Sequence, residues 1–532
     1  MVHEREPARL RHLDDRDSTR QHAPLRVDRF AERSGHSCSP TRPAARGEHG
    51  VERSFAAVCE REFDDLVEPR SAHAGGHRTR DLVGPECSSE LVGTNDGTAH
   101  RRIDCRLFAV RVAPGAALLE RVPLLDKHLD DYAEVVEPGT IERIRALAEP
   151  LRGSRVLHVN ATAYGGGVAE LLATHVALLR DVGVDAEWHV MHGSDEFFAV
   201  TKTVHNALQG ADVEWTPQME HIYLERVLDN ALQLEGEWDF VVIHDPQPAA
   251  MRDYARGHGV APESTKWIWR CHIDLTDANE QVFEFFRPFV EQYDASVWTM
   301  PEFVPSSLHM DRVVFAPPCI DPLSVKNLDL PQPFVSELVK QYGVRPNDPL
   351  LVQVSRFDPW KDPIGVIEAY RIVREEFPNL QLVLAGSMAT DDPDGFHYWE
   401  LADEARAGDQ DVHLLSNIQQ VGNVQINAFQ RLAAVVMQKS LREGFGLTVS
   451  EGLWKGRPVV GGRCGGITLQ IEDGVNGYLV DDVETAAKRT ADLLRAPQRA
   501  TEMGAAGRET VRRQFLSTRE LEDWLRLYGE MQ

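Results

Sequence analysis

Beyond about residue 111, short apolar runs alternate with stretches in which apolar residues recur every three or four positions. Short apolar runs are typical of strands buried on both faces, and the longer spacing is typical of amphipathic helices. The alternation begins with the run RVLHVNA and restarts after about Asn327 with PLLVQVSRFD. Such repeated alternation predicts an α/β protein with two Rossmann-like domains, each a parallel sheet with helices on both faces.

Two helical segments are predicted ahead of the first strand, over LLDKHLDDYAEVV (124–136) and GTIERIRALAEPL (139–151), because their apolar residues lie three and four apart. The predicted domains span 108–326 and 327–532. In parallel α/β sheets, ligands bind at the carboxyl ends of the strands. A cleft between the two domains is therefore the expected site.

Residues 1–107 differ in composition from the rest of the chain. They contain 18 Arg and no Lys, 8 of the 21 His and few apolar residues, without a sustained period of 2 or 3.6. This composition predicts a disordered N-terminal extension. An alternative is a translated upstream sequence, with the true start near Leu107–Pro114.

Composition and charge exclude several classes of protein. The net charge is −26, which argues against a nucleic-acid partner or an anionic membrane surface. No apolar run approaches the 18 or so residues of a spanning helix, and the N-terminus lacks the apolar core of a signal peptide. Seven Cys residues show neither disulfide-framework nor metal-ligand spacing. We therefore expect a cytoplasmic protein with no metal site, and a homodimer is compatible with the sequence.

The stretch AAVVMQKSLREGFGLTVSEGLWKGRPVV carries the strongest chemical pattern. An apolar strand leads through a loop into a helix that opens near Thr448, and such a junction presents bare backbone N–H groups. Glycines 444 and 446 allow a ligand close to the backbone, and Glu443 and Glu451 flank these amides. Carboxylates accept hydrogen bonds from hydroxyls and a helix N-terminus favours an anion, so the pattern indicates a nucleotide-sugar site. The alternative is a capped surface helix with incidental acids.

A second pattern, Ser355 to Asp362, follows the first strand of the second domain. Arg356 and Lys361 are five positions apart across a Pro-containing turn, so both can reach into the cleft. Two fixed cations there could hold a diphosphate and stabilise it as it leaves. The alternative is a surface ion pair with Asp358 or Asp362.

Further candidates lie at strand ends of the first domain. The loop NATAYGGGVAE, with Gly165–Gly167, follows the first strand and opens a helix, but it lacks the GxGxxG spacing of a dinucleotide site. It could serve ligand approach or only a tight turn. The strand-end sequences HDPQ (244–247) and RCHID (270–274) hold polar groups that need partners. A sugar could supply those partners, or the groups could bond to one another.

Together these motifs resemble those of retaining glycosyltransferases with the GT-B fold. The resemblance in the C-terminal half rests on SRFDPWKDP, LVLAGS, EGFGLTVSEG, RPVVGGRCGGI and DGVNGYLV. In the N-terminal half, HVNATAYGGGVAELL, HGSDEFFAVTKTVHNALQG, VVIHDPQP and WIWRCHIDL are similar to the trehalose synthases and to the related trehalose phosphorylases. The resemblance begins near Leu118 and implies two sheets facing across a cleft, with the last helix crossing back to the N-terminal domain.

The resemblance also implies roles for the positions that match. A nucleotide-activated glucose would bind the C-terminal domain, and free glucose or trehalose would bind the acceptor side in the N-terminal domain. The implied catalytic residues are Arg356, Lys361, Glu443 and His272; the implied donor-binding residues are Gly444, Phe445, Gly446, Leu447, Glu451 and Ser355; the implied acceptor-binding residues are Gly165, Gly166, Gly167, Asp245 and Gln247.

The implied activity is the synthesis of trehalose from ADP- or UDP-glucose and glucose, with retention and without a metal or other cofactor. A retaining trehalose phosphorylase would use the same cations but would need no ribose pocket, and Glu451 favours the nucleotide version. A non-catalytic sugar- or nucleotide-binding regulator is the third reading. Loss of Arg356, Lys361 or Glu443 would indicate a regulator, and all three are present.

Overall fold

The computed structural model describes residues 82–93, 99–110, 119–163, 166–388 and 393–532. The chain divides into two compact units, Met1–Pro114 and Gly115–Gln532. In the first unit, β1 (Leu82–Gly93) and β2 (Ala99–Val110) pair antiparallel. Most of the extension predicted over residues 1–107 lies outside the described residues, so its disordered or non-native character stays a prediction.

The second unit contains two α/β domains. The sheet of the N-terminal domain has the order β3-β5-β4-β6-β7-β8-β9, and all its pairs are parallel except β3 with β5. Its strands are β3 (Leu119–Arg121), β4 (Arg155–Asn160), β5 (Asp185–Met191), β6 (Phe240–His244), β7 (Lys266–Arg270), β8 (Ala295–Trp298) and β9 (Val313–Phe315). Its helices are α1 (Thr140–Ala148), α2 (Gly167–Asp181), α3 (Asp195–Leu208), α4 (Pro217–Ala231), α5 (Met251–Gly257) and α6 (Glu280–Val290).

The C-terminal domain has an all-parallel sheet with the order β12-β11-β10-β13-β14-β15. Its strands are β10 (Leu350–Val354), β11 (Gln381–Gly386), β12 (Val412–Ser416), β13 (Val435–Gln438), β14 (Val459–Gly462) and β15 (Gly477–Val480). The helices of this half are α7 (Gln332–Lys340), α8 (Pro363–Arg374), α9 (Pro393–Arg406), α10 (Asn423–Leu432), α11 (Leu447–Trp454), α12 (Ile467–Gln470), α13 (Val483–Arg495), α14 (Pro497–Gln514) and α15 (Ser517–Met531). The predicted pair of parallel α/β domains is therefore confirmed.

Each sheet is buried by apolar side chains on both faces, as parallel sheets require. Four tryptophans, Trp188, Trp267, Trp269 and Trp298, are at most 2% exposed in the N-terminal domain. Helix α15 packs against that domain, where the rings of Phe240 and Tyr528 lie 4.8 Å apart. The C-terminal end of the chain therefore forms part of the N-terminal domain's core.

The prediction of a helix over 124–136 is wrong. Within that stretch the structure has a single 3₁₀ turn, Leu129–Tyr132. The backbone N–H of Leu129 donates to Oδ2 of Asp181 at 2.8 Å, and the hydroxyl of Tyr132 donates to Oδ1 of Asp321 at 3.0 Å. These contacts hold the segment against the domain in a non-helical path. Among the described residues, no helix combines the length and apolar character needed to cross a membrane.

Candidate active site

The loop between β13 and α11 places Glu443 at the carboxyl edge of the C-terminal sheet. The carboxylate oxygen Oε2 accepts hydrogen bonds from Nζ of Lys361 at 2.7 Å, from the hydroxyl of Ser440 at 3.2 Å and from Nε2 of Gln438 at 3.3 Å. Gln438 is in turn oriented by the hydroxyl of Thr448, which donates to its Oε1 at 2.8 Å. Glu443 is thus held by residues of a strand, a loop and a neighbouring turn. The interpretation as a surface helix with incidental acids is wrong, since Glu443 is only 9% exposed.

Lys361 ends a 3₁₀ turn, Pro359–Lys361, that follows β10. Asp358 begins this turn by accepting the backbone N–H groups of Trp360 and Lys361 on its Oδ1, at 2.9 and 3.2 Å. The carbonyl of Lys361 accepts from Nε2 of Gln353, a β10 residue, at 2.8 Å. This backbone support aims the Lys361 side chain at Glu443.

Arg356 follows the same strand, β10, and its side chain is more exposed than that of Lys361. Its Nη2 is 3.1 Å from Oδ2 of Asp358, and 43% of its side chain is exposed. The ion pair with Asp358 that the sequence left open is therefore present. The guanidinium of Arg356 remains partly exposed to solvent although it forms this ion pair. The neighbouring Ser355 donates its backbone N–H to the carbonyl of Ala385 at 2.9 Å, which extends the β10–β11 pairing to this point.

Glu451 lies on the buried face of α11 and is 1% exposed. Its Oε1 is 2.9 Å from Nζ of Lys326, and its Oε2 accepts from Nε2 of Gln430 at 3.1 Å. Burial opposes ionisation, but the positive charges of Lys326 and Lys455 outweigh it and hold the pKa of Glu451 below its ordinary value. Glu451 is therefore an ionised carboxylate in the interior.

Lys326 was not singled out from the sequence, and it connects the two domains. Besides Glu451 of α11, its Nζ lies 3.1 Å from Oε1 of Glu170, which belongs to α2 of the N-terminal domain. Burial lowers the pKa of Lys326, but the two carboxylates outweigh burial and raise it. Nothing in the local sequence identifies Lys326, because its partners are 156 and 125 residues away along the chain.

The glycines of the site lie where backbones cross closely. A Cβ added at Gly444 would collide with the carbonyl oxygen of His272, so this loop packs directly on the strand end of the N-terminal domain. Gly465 has a φ of +41°, and a Cβ there would collide with the carbonyl of Glu443. Within the described residues, no acceptor is found for the N–H groups of Gly444, Phe445 and Gly446. The arrangement can offer these N–H groups to an anion or a hydroxyl.

The Gly-rich loop of the N-terminal domain faces the same region. Gly166 precedes α2 and Gly167 is its first residue. A Cβ on Gly167 would lie 3.0 Å from Cδ1 of Leu447, at the start of α11. The predicted acceptor loop and the predicted donor loop are thus brought together. Gly165 lies outside the described residues.

Asp245 and His272 follow the neighbouring strands β6 and β7, and they contact each other. Asp245 has a φ of +64°, in the left-handed region, where Asp is among the few non-glycine residues found more often. Its Oδ1 accepts the backbone N–H of His272 at 2.8 Å. Burial raises the pKa of Asp245 to about 7, against the opposing effects of this hydrogen bond and of Arg270. Gln247 lies two residues further on and is partly buried.

The mutual hydrogen bonding that the sequence left open for these strand ends is therefore present. Nδ1 of His244 lies 3.0 Å from Nε2 of His272, and Nδ1 of His158 lies 3.0 Å from Nε2 of His244. His158, in the middle of β4, was not predicted as a site residue. Within the described residues, no group of three or more His, Cys, Asp or Glu side chains could hold a metal ion.

Comparison with known proteins shows the family to which the chain belongs. The model described as "Trehalose synthase, N-terminal domain" matches residues 158–305, and "Glycosyl transferases group 1" matches residues 335–510. The trehalose synthase of Rubrobacter xylanophilus is 51% identical over 417 residues, which is 78% of this chain and 99% of that protein. The chain belongs to the trehalose synthase family. This confirms the resemblance drawn from its motifs.

Other relatives of this trehalose synthase family member include a second trehalose synthase and a trehalose phosphorylase. The trehalose synthase of Thermococcus litoralis is 45% identical over 403 residues, covering 75% of this chain and 96% of that protein. The trehalose phosphorylase of Pleurotus pulmonarius is 28% identical over 422 residues, covering 70% of this chain and 57% of that protein. The family member is thus a trehalose-related glycosyltransferase.

Solved structures show the same fold at low sequence identity. Sucrose-phosphate synthase from Thermosynechococcus elongatus has a TM-score of 0.55 and 16% identity, covering 71% of this chain and 98% of that chain. An α,α-trehalose-phosphate synthase (UDP-forming) from Burkholderia xenovorans, in complex with glucose-6-phosphate, has a TM-score of 0.56 and 14% identity, covering 71% of this chain and 100% of that chain. The GT-B fold of this trehalose synthase family member is therefore confirmed.

Proposed function

We propose that the protein transfers glucose, with retention of the α configuration, from ADP- or UDP-glucose to free glucose, and so makes trehalose. The observation that carries this proposal is the cluster of Arg356, Lys361 and Glu443 beside the glycine loop, in a chain 51% identical to a trehalose synthase. The cluster offers cations to a diphosphate, and the loop offers backbone N–H groups and carboxylates to hydroxyls.

On the donor side, Arg356 and Lys361 would bind the diphosphate and stabilise the charge that develops as it leaves. Both cations contact carboxylates, Asp358 and Glu443, with which a diphosphate would share them. Glu443 would accept hydrogen bonds from the glucose hydroxyls. The ionised Glu451 would accept those of the ribose hydroxyls.

The proposed chemistry proceeds on one face of the sugar. The bond from the anomeric carbon to the diphosphate oxygen breaks, and the acceptor hydroxyl attacks from the same side. A phosphate oxygen of the leaving group takes the hydroxyl proton. The protein contributes electrostatic stabilisation, orientation of the acceptor and exclusion of water. This differs from retaining glycosidases, in which one of two carboxylates forms a covalent intermediate.

On the acceptor side, free glucose is the preferred candidate over a sugar phosphate. The Burkholderia neighbour was solved with glucose-6-phosphate, and a phosphate group would need cations near Gly166, Gly167, Asp245 and Gln247. Arg270 is one candidate cation, but it is 1% exposed and donates through Nη2 to the carbonyl of Ala316 at 2.8 Å. It is thus already engaged in the interior.

The decisive experiment is a product assay. The purified protein is incubated with glucose and ADP-, UDP- or GDP-glucose, and separately with trehalose and inorganic phosphate. We expect α,α-trehalose in a nucleotide-sugar mixture, at an unchanged rate in EDTA, since the two cations replace a metal. Glucose 1-phosphate from trehalose and phosphate, without trehalose synthesis, would indicate a phosphorylase. If the protein binds the nucleotide but shows no turnover in any mixture, it would be a non-catalytic regulator.

Substitution of the cations tests the mechanism. Arg356→Ala or Lys361→Ala should lower kcat by about 10²- to 10³-fold, the usual cost of losing one preorganised charge-stabilising group. The matched control is Lys340→Ala on α7, which removes an exposed lysine that pairs with Glu337 on the same helix. Equal kcat values for Lys361→Ala and Lys340→Ala would contradict the proposed role.

A further inference from the structure

A line of four hydrogen-bonded side chains runs through the N-terminal domain from α15 to His272, just beyond β7. The hydroxyl of Tyr528, on α15, lies 3.3 Å from Nε2 of His158. Nδ1 of His158 lies 3.0 Å from Nε2 of His244, and Nδ1 of His244 lies 3.0 Å from Nε2 of His272. The contacts follow the sheet order β4-β6-β7, so the line connects the last helix to His272, two residues beyond β7.

The histidines of this line are neutral. His158 and His244 are 0% and 3% exposed, and burial lowers the pKa of both well below the ordinary value. The pKa of His272 is lowered in the same way, by burial first and by the charge of Arg270 second. The other titratable neighbours act in the same sense, since His175 lowers the pKa of His158 and His244 further. Each ring therefore carries one N–H and one bare nitrogen.

The hydrogen bonds can run in one direction only if every buried donor is to have an acceptor. Tyr528 has one O–H, and His158 is the acceptor found for it among the described residues. If Tyr528 donates to Nε2 of His158, then His158 donates from Nδ1 to His244, and His244 donates from Nδ1 to His272. In the reverse direction, the O–H of Tyr528 would be buried without an acceptor, which is costly. The forward direction leaves one N–H outside the line, on Nδ1 of His272.

We propose that Tyr528, His158 and His244 are positioning residues that fix His272 in the tautomer with its proton on Nδ1, so that this N–H donates to the transferred sugar. The proposal rests on the proposed glucosyl transfer and on the catalytic role that the family resemblance implies for His272. His272 is partly exposed, whereas Tyr528, His158 and His244 are buried, so the free N–H is carried by the member that a ligand can reach.

A second contact restrains the same residue. Asp245 accepts the backbone N–H of His272 at 2.8 Å, so the main chain and the ring of His272 are both held by β6. The line thus acts on which nitrogen bears the proton and not only on where the ring lies. The opposite tautomer would present a bare Nδ1, which cannot donate to a sugar hydroxyl.

The first test needs no substrate. The full-length protein is labelled with ¹⁵N in its histidine rings, and the His272 signals are assigned by their absence from His272→Asn. We expect the Nδ1–H tautomer for His272 from pH 5.5 to 8.5, and a mixture of tautomers in Tyr528→Phe. An Nε2–H tautomer in the wild-type protein, or a ring that becomes protonated in this range, would overturn the proposal. Because this result is independent of turnover, it can stand even if no trehalose is made.

The second test separates positioning from stability. Tyr528→Phe should lower kcat by about 3- to 10-fold, the equivalent of one neutral hydrogen bond, with the KM for the donor within about twofold. His244→Leu removes the donor to His272 and should lower kcat by about 10- to 100-fold. His244→Asn, whose amide nitrogen can stand where Nδ1 stands, should restore most of the rate. Equal losses in Leu and Asn variants of equal thermal stability would show that His244 only fills space.

Discussion

Replacing Lys326 by methionine tests the buried ion pair that joins the segment between β9 and α7 to α11. Methionine keeps most of the side-chain volume and removes the charge. Glu451 then remains 1% exposed without its nearest cation, Nζ of Lys326 at 2.9 Å. Removing one partner of a buried pair leaves an uncompensated charge in the interior, which is far more costly than losing a surface contact.

The expected loss can be worked from the geometry. At 2.9 Å two unit charges attract by about 6 kcal/mol at an effective dielectric constant near 20. Part of this is offset, because Lys326 itself no longer has to be desolvated. We therefore expect the free energy of unfolding to fall by about 3–5 kcal/mol at pH 8, the range found when buried pairs are broken.

The loss should shrink as the pH is lowered. In the wild type, Lys326 holds the pKa of Glu451 below its ordinary value, so the ionised pair stabilises the fold above the unfolded pKa. In the variant, burial raises the pKa of Glu451, and protonation relieves the unpaired charge as the pH falls. Lys455, whose pKa is lowered by burial to about 7, becomes protonated over the same interval and acts in the same sense.

Urea denaturation at pH 5.5 and pH 8, followed by tryptophan fluorescence, measures this difference. Glu170→Gln removes the exposed partner of the same lysine and should cost less than about 1 kcal/mol. Lys340→Met, in an exposed pair with Glu337, is the matched control and should also cost less than about 1 kcal/mol. A Lys326→Met loss as small as that of Lys340→Met, or one that grows at pH 5.5, would refute the reasoning.

Three further predictions follow from other features. Gly465→Ala should lower the free energy of unfolding by at least about 1–3 kcal/mol and depress trehalose formation, because its φ is +41° and its Cβ would collide with the carbonyl of Glu443; Gly257→Ala, with nothing near its Cβ, is the control in the same denaturation and turnover assays. The carboxyl of Asp245, whose pKa is raised to about 7, binds its proton more tightly in the folded protein, so it makes the protein less stable as the pH rises from about 4 to 7. Asp245→Asn should reduce this loss of stability, which thermal unfolding measures. A chain without residues 1–107 should retain trehalose formation in the product assay, since the aligned 417 residues cover 99% of the Rubrobacter relative.

Much of the fold could be predicted because each buried parallel strand is a short apolar run in the sequence. The runs at β4, β6, β10 and β13 each predict a strand without information from the rest of the chain. The prediction of a helix over 124–136 was wrong because contacts with residues distant in sequence determine the conformation of this segment. Its apolar spacing suits a helix, but contacts to Asp181 and Asp321 hold it in another path.

The residues of the candidate site likewise fall into two groups, those that a local motif identifies and those that only the folded structure identifies. Glu443 and the cations Arg356 and Lys361 stand in contiguous motifs at strand ends, so their types and spacing indicate the chemistry. Lys326 and Tyr528 stand in no motif, and their partners are more than 100 residues away along the chain. Their contribution follows from the packing of α11 and α15, which local sequence patterns do not encode.

The position of Lys326 constrains how the two domains can separate. One ammonium group serves a fully buried carboxylate, Glu451, in one domain and a half-exposed one, Glu170, in the other. Water can replace the exposed contact with Glu170 at little cost in free energy, but it cannot reach Glu451 to replace the buried contact. If the two domains move apart, the lysine is therefore expected to stay with the C-terminal domain and to release Glu170. The pivot of the motion would then lie on the N-terminal side of residue 326, and raising the ionic strength would favour the open form.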